Sequence, residues 1–226
     1  MKQRLAQVAP FALVTVFTVV VQGLSLMEFL PLPIALLIGG GWAVSIGLAA
    51  RWVRRRPPLS AWVEDGLVAL GGVTMALLAF GGAVGLMMVG TALDSSSVTG
   101  ETVVTMFVPS IPIAIAANVP TELVVLPGLL VLGWHPGTRR VLFVASAALY
   151  FVHRIWTYLV FAPDRLDFAA AQRSTAVLTA AERDQFAAAL HVDDPRWIIN
   201  LVIFAMLLLS AFFSRVRELD SRSGRR

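Results

Sequence analysis

Apolar residues run along this chain in long blocks, broken by short polar stretches, with little alternation of the kind a half-buried strand would show. Six blocks stand out, at residues 8–27, 33–50, 66–93, 103–134, 141–161 and 197–213. A helix crossing a bilayer needs about 20 mostly apolar residues, and each block comes close to that length or exceeds it. The pattern therefore predicts an all-α fold, a polytopic membrane helical bundle of six transmembrane helices. It forms one integral membrane domain over 1–226, with both termini on the same side. The opening Met1-Lys2-Gln3-Arg4 before an apolar run also has the look of a secretory signal peptide. The run has full span length and no small-x-small cleavage site follows it, so it is expected to stay as the first span.

Composition agrees with that reading and redirects one part of it. The chain is 58% hydrophobic and only 14% charged, against about 25% charged for soluble domains. Cysteine is absent, which excludes disulfides, thiolate metal sites and cysteine nucleophiles. The formal charge of +4 invites a nucleic-acid reading until its location is considered. Lys2, Arg4, Arg51, Arg54, Arg55, Arg56, Arg139, Arg140 and the tail (214–226) arginines fall on one side of a six-span chain. Only Arg165, Arg173, Arg183 and Arg196 fall on the other. Basic residues concentrate in cytoplasmic loops, so both termini are expected inside. The basicity then reports topology and attraction to anionic lipid headgroups at the cytoplasmic face, and nucleic acid drops out as a partner. The expected location is the cytoplasmic membrane of a bacterium.

Within the blocks, glycine and proline mark special positions. Gly81 and Gly85 make a small-xxx-small step and Gly39-Gly40-Gly41 a small patch, both suited to close helix packing or to a second copy. Pro109, Pro112, Pro120 and Pro127 crowd the fourth block. Each removes a backbone donor and can kink a helix, so this span is expected to be broken or re-entrant. The outer loop 162–196 contains Thr179-Ala180-Ala181-Glu182, a capping-box pattern, ahead of apolar Phe186 and Leu190. It predicts a short extracytoplasmic amphipathic helix. Asp194-Pro195 reads as the N-cap and first position of the last span.

Ionisable residues inside spans are costly and direct attention to function. Glu122 lies 12 residues before Trp134, while His153 and Arg154 lie 12 and 13 residues after Val141. Counted from one interface, all three share a depth near the bilayer middle. A Glu122–Arg154 pair would let both stay charged, either to fix two helices or to form a site. Asn118 and Tyr158, each one turn away, would complete a polar pocket between spans four and five. His153 could relay protons but finds no second histidine for haem and too few partners for a metal. Glu28, Trp197 and Asn200 are secondary candidates on the outer side. No metal or cofactor is expected, and no phosphate loop, nucleophile elbow or zinc motif occurs.

Three segments carry a family resemblance. Asn118-Val119-Pro120-Thr121-Glu122 resembles the Asn-x-Pro element of small bacterial membrane proteins that include anthrone-oxygenase-like members. Arg154-Ile155-Trp156-Thr157-Tyr158, followed by Phe161 and Pro163, resembles their Arg-x-x-Thr-Tyr-x-x-Phe-x-Pro segment. Arg196-Trp197 and Asn200 are similar to their Trp-x-x-x-Asn span start, with one residue fewer between Trp and Asn. The resemblance covers the chain from about residue 103 onward, and those proteins typically have four spans. It implies a shared architecture and, where activity is claimed for the group, cofactor-independent oxygenation of an aromatic polyketide.

The leading expectation is a membrane protein whose midplane pocket binds a lipophilic or small amphipathic ligand, with an enzyme acting on a membrane-dissolved substrate the less favoured reading of the same pocket. Two other classes stay open at this point: a proton-coupled transporter using Glu122 and His153, and an accessory or scaffold subunit contacting a homo-oligomer or membrane-complex partner.

Overall fold

The structure, a computed structural model, describes residues 2–27, 29–161, 168 and 174–216, with side chains from residue 8 onward. Glu28, most of the first half of the loop expected outside (162–167 and 169–173) and the basic tail from 217 lie outside the described residues. Every regular element among them is helical, and extended backbone pairs only at one bridge, Thr99 to Val177. The helices are α1 (Lys2–Leu26), α2 (Leu32–Arg54), α3 (Pro57–Leu93), α4 (Gly100–Phe107) and α5 (Ser110–Pro120). A π-helical turn, π1 (Thr121–Val125), joins α5 to α6 (Leu126–Leu132). Then come α7 (Thr138–Trp156), a second π-helical turn π2 (Thr157–Phe161), α8 (Ala180–Leu190) and α9 (Arg196–Ala211).

Among the described residues five stretches are long and apolar enough to cross a membrane: Val8–Leu26, Leu32–Arg54, Pro57–Leu93, Gly100–Leu132 and Thr138–Phe161. α9 has 16 residues, about 24 Å of helix, and is the shorter sixth apolar element. The exterior is apolar where a soluble protein would be polar: Leu37, Val73, Phe80, Val84, Val152 and Leu159 are all exposed. α3 begins earlier than its apolar block suggests. Pro57 and Pro58 occupy its first turn, where a missing N–H costs no helical bond, so the stretch 57–65 joins the helix.

α3 is the central strut, 37 residues long, and α9 runs antiparallel along it. A methyl built on Gly90 would come 3.0 Å from Val192, one on Gly82 3.7 Å from Trp197, and one on Gly71 3.0 Å from Leu207. At the basic end of the bundle the same pair is locked by charge. Glu64 is fully buried and meets Arg139 Nη1 at 3.1 Å and Arg215 Nη1 at 2.9 Å. Asp65 beside it pairs with Arg139 and accepts from Ser214 Oγ at 2.6 Å. The small residues divide by face: a methyl built on Gly39 would come 3.0 Å from Val19 Cα, whereas Gly40, Gly41, Gly81 and Gly85 would offer a methyl only open space.

The fourth apolar block is one broken helical run and does not double back. It stays against α3 along its course, with Thr121 against Thr74, Val125 near Gly71 and Gly128 near Leu67. The prolines explain the breaks. Pro109 caps α5, Pro127 sits in the first turn of α6, and Pro120 ends α5. Pro127 has no N–H to offer the carbonyl of Leu123 four residues back; Trp42 Nε1 of α2 donates to it instead, at 2.8 Å. The turn back into α7 places Gly137 at φ 142°, backbone that a side chain would strain.

The helix expected in the outer loop is α8, with its capping box formed by Thr179 and Glu182. Two bonds from Thr179 hold the Glu182 carboxyl below its ordinary range. Phe186 and Leu190 pack with Val89, Leu93, Val98, Val103, Val104 and Phe107, so α8 closes the ends of α3 and α4. α9 starts one residue later than Asp194-Pro195 suggested: Pro195 is its N-cap, and the Asp194 carboxylate accepts from the Arg196 N–H at 3.0 Å.

Candidate functional site

Tyr150 and Arg154 of α7 and Tyr158 of π2 stand one helical turn apart, so all three project from one face. That face meets the α5–π1 junction, where Asn118 and Glu122 are likewise four residues apart. The charges meet directly: Arg154 Nε lies 2.5 Å from Glu122 Oε1, with both residues buried. Tyr150 Oη lies 2.8 Å from Asn118 Oδ1 and 3.1 Å from Glu122 Oε1. Arg154 Nη2 donates to Tyr158 Oη at 2.5 Å, and Tyr158 Oη lies 3.3 Å from Glu122 Oε2. Asn118 anchors its own amide by donating to Ala114 O at 2.8 Å.

Two neighbours wall the network. Phe17 of α1 packs beside Tyr150, ring centroids 6.3 Å apart, and Ser25 of the same helix is a hydrogen-bond partner of Tyr158. Four of the five principal sequence candidates, Asn118, Glu122, Arg154 and Tyr158, are thus in one hydrogen-bonded group. Tyr150 joins them and was overlooked. Its signal was available, since it stands one turn before Arg154 just as Tyr158 stands one turn after.

His153 faces another way. It is buried, its ring lies 6.0 Å from that of Tyr150, and its Nδ1 has no hydrogen-bond partner among the described residues. Asn200 on α9 is also buried, with Oδ1 similarly unpartnered. The helices carrying them are antiparallel: the start of α7 and Arg215, just past the end of α9, both reach Glu64, while Arg196 Nη1 donates to Thr157 Oγ1 at 2.9 Å near the other end. One turn inward from that contact lie His153 on α7 and Asn200 on α9, at one level. Buried polar atoms without partners are uncommon and call for a water, an ion or a ligand atom. Trp197 lies against Gly82 of α3, away from the network, and Glu28 is outside the described residues.

Arg196 was placed in a loop by the sequence and is instead buried. Its Nε lies 2.7 Å from Asp194 Oδ2, and its guanidinium stacks 3.5 Å from the centroid of Phe161 in π2. This clamp joins the start of α9 to π2 just beyond the Glu122 network. Among the described residues no group of three or more His, Asp or Glu side chains could hold a metal ion.

Chemically, the arrangement keeps a carboxylate and a guanidinium in a low-dielectric interior and links them through two phenols. Phenol, carboxylate and guanidinium in continuous contact can present donors to an acceptor on a bound molecule. Both contributing segments leave regular α-geometry here, through π1 and π2, and single π-helical turns occur frequently at functional sites. The segments 118–122 and 154–158 are the two that meet. Compared with known protein families, curated proteins and solved structures, the chain matches none.

Proposed function

We propose that this chain is a bacterial cytoplasmic-membrane protein that binds a lipophilic or small amphipathic ligand at the Glu122–Arg154 network. The reading has six spans, α9 being the last and shortest, with both termini inside. The observation that carries it is a buried ion pair bridged by two tyrosines where two facing segments both unwind into π-helical turns. A purely mechanical staple needs the pair but not the two interrupted helices. The unpartnered His153 Nδ1 and Asn200 Oδ1 supply further polar points nearby, suited to a ligand with a carbonyl or hydroxyl head and an apolar body.

The test is extraction and mass spectrometry of small molecules from protein purified in mild detergent. The expected result is one lipophile near stoichiometric amount in the wild type, lost in Tyr158→Phe while thermal stability is retained. Wild type and Tyr158→Phe carrying the same bulk lipids, in membrane proportion, would refute the site.

A further inference from the structure

α2 ends in three arginines, Arg51, Arg54 and Arg55, spaced to share one helical face. The buried arginines among the described residues are all matched: Arg139 by Glu64 and Asp65, Arg154 by Glu122, and Arg196 by Asp194. These three meet no carboxylate among the described residues. Before Glu64 the sequence holds a single acidic residue, Glu28, and Glu64 is already held by Arg139 and Arg215. Three guanidinium groups therefore stand close together with no counter-charge among the described residues.

They also line a cavity. A space of about 550 Å³ is bounded by Arg51, Arg54 and Arg55 on one side and by Val8 and Phe11 of α1 on the other. A second, of about 330 Å³, shares Arg51 and Arg55 and adds Leu48 and Trp52. The apolar walls are open to the surroundings: Val8 is 60% exposed, Leu48 63% and Trp52 51%. A cationic mouth flanked on two sides by exposed apolar surface, at the end of two span-length helices, has the shape of an amphiphile's binding site. Guanidinium groups bind phosphate oxygens through paired N–H donors. A soluble phosphate would use the arginines and leave the apolar walls bare.

We propose that this cleft binds an anionic glycerophospholipid, with its phosphate among Arg51, Arg54 and Arg55. Its acyl chains would run along Val8 and Phe11 in one cavity and Leu48 and Trp52 in the other. The inference rests on the reading of α1 and α2 as membrane spans and is independent of the Glu122 network.

Native mass spectrometry of the full chain in micelles, offered equal phosphatidylglycerol and phosphatidylcholine of matched acyl chains, tests it. The wild type should retain phosphatidylglycerol about tenfold over phosphatidylcholine. The triple variant Arg51→Gln, Arg54→Gln, Arg55→Gln should lose that preference. Because it also removes topology-setting charge, the variant Arg51→Lys, Arg54→Lys, Arg55→Lys serves alongside it, keeping charge while removing the guanidinium fork. This variant should fall between the two. Equal retention of both lipids by the wild type, or undiminished preference in both triple variants, overturns the proposal. Displacement of the lipid by inorganic phosphate at matched ionic strength also overturns it, in favour of a soluble anion. Resistance to carbonate extraction, measured in parallel, separates failure of this site from failure of the membrane reading.

Discussion

Glu122 and Arg154 are each tolerable in the interior only because of the other. Removing one partner leaves an uncompensated buried charge, which costs about 3–5 kcal/mol in soluble proteins. Glu122→Gln and Arg154→Gln should therefore each lower the unfolding temperature in detergent, and the double variant should recover part of the loss. Equal thermal stability of wild type and both single variants would show that the pair bears no such energy. Depth arithmetic from a shared turn was enough to bring these two residues together on paper, since a helix advances about 1.5 Å per residue from a common interface. The same arithmetic could not give direction around the helix, which is why His153 was grouped with a network from which its Nδ1 is absent. Nor could it expose Arg196, whose partner is two residues away and whose burial depends on Phe161 stacking beneath it.

At the scale of elements, the fourth block shows how a proline-rich span survives. Three of its prolines stand in or immediately before the first turn of α5 or α6, and the carbonyl orphaned by Pro127 is recovered by Trp42 across the bundle. That capture joins residues 81 positions apart and is invisible to any local pattern. Glycine has two roles that the sequence also leaves undivided. A methyl at Gly133 would strike the Phe143 ring and come 2.8 Å from Leu129 O, while Gly81 faces open space. Gly133→Ala should thus destabilise the protein by about 1–3 kcal/mol, the usual range for overpacking. Gly81→Ala should be neutral or slightly stabilising, because alanine is the better helix former. Thermal denaturation of the two variants side by side checks the contrast, and equal effects would contradict the packing described.

For the whole molecule, the charge pattern makes a directional claim. A fluorescent protein fused after residue 226 should mature in the cytoplasm, and alkaline phosphatase inserted at residue 175 should be active only outside it. The opposite pair of results would reverse the orientation and move the arginine cleft to the outer face. The sequence alone determined the helical class, the apolar blocks and the expected segregation of arginine, because helix length and hydropathy are local quantities set by the bilayer's thickness and dielectric. It also reached the residues of the ion pair, since adjacent spans joined by a tight turn share a depth scale. Only the tertiary structure decided which faces meet. It placed Tyr150 between Asn118 and Glu122, buried Glu64 between Arg139 and Arg215, laid α8 over the ends of α3 and α4, and gave Arg51, Arg54 and Arg55 no carboxylate among the described residues. Those outcomes depend on rotation about each helix axis and on contacts between distant segments, which are settled when side chains pack against one another.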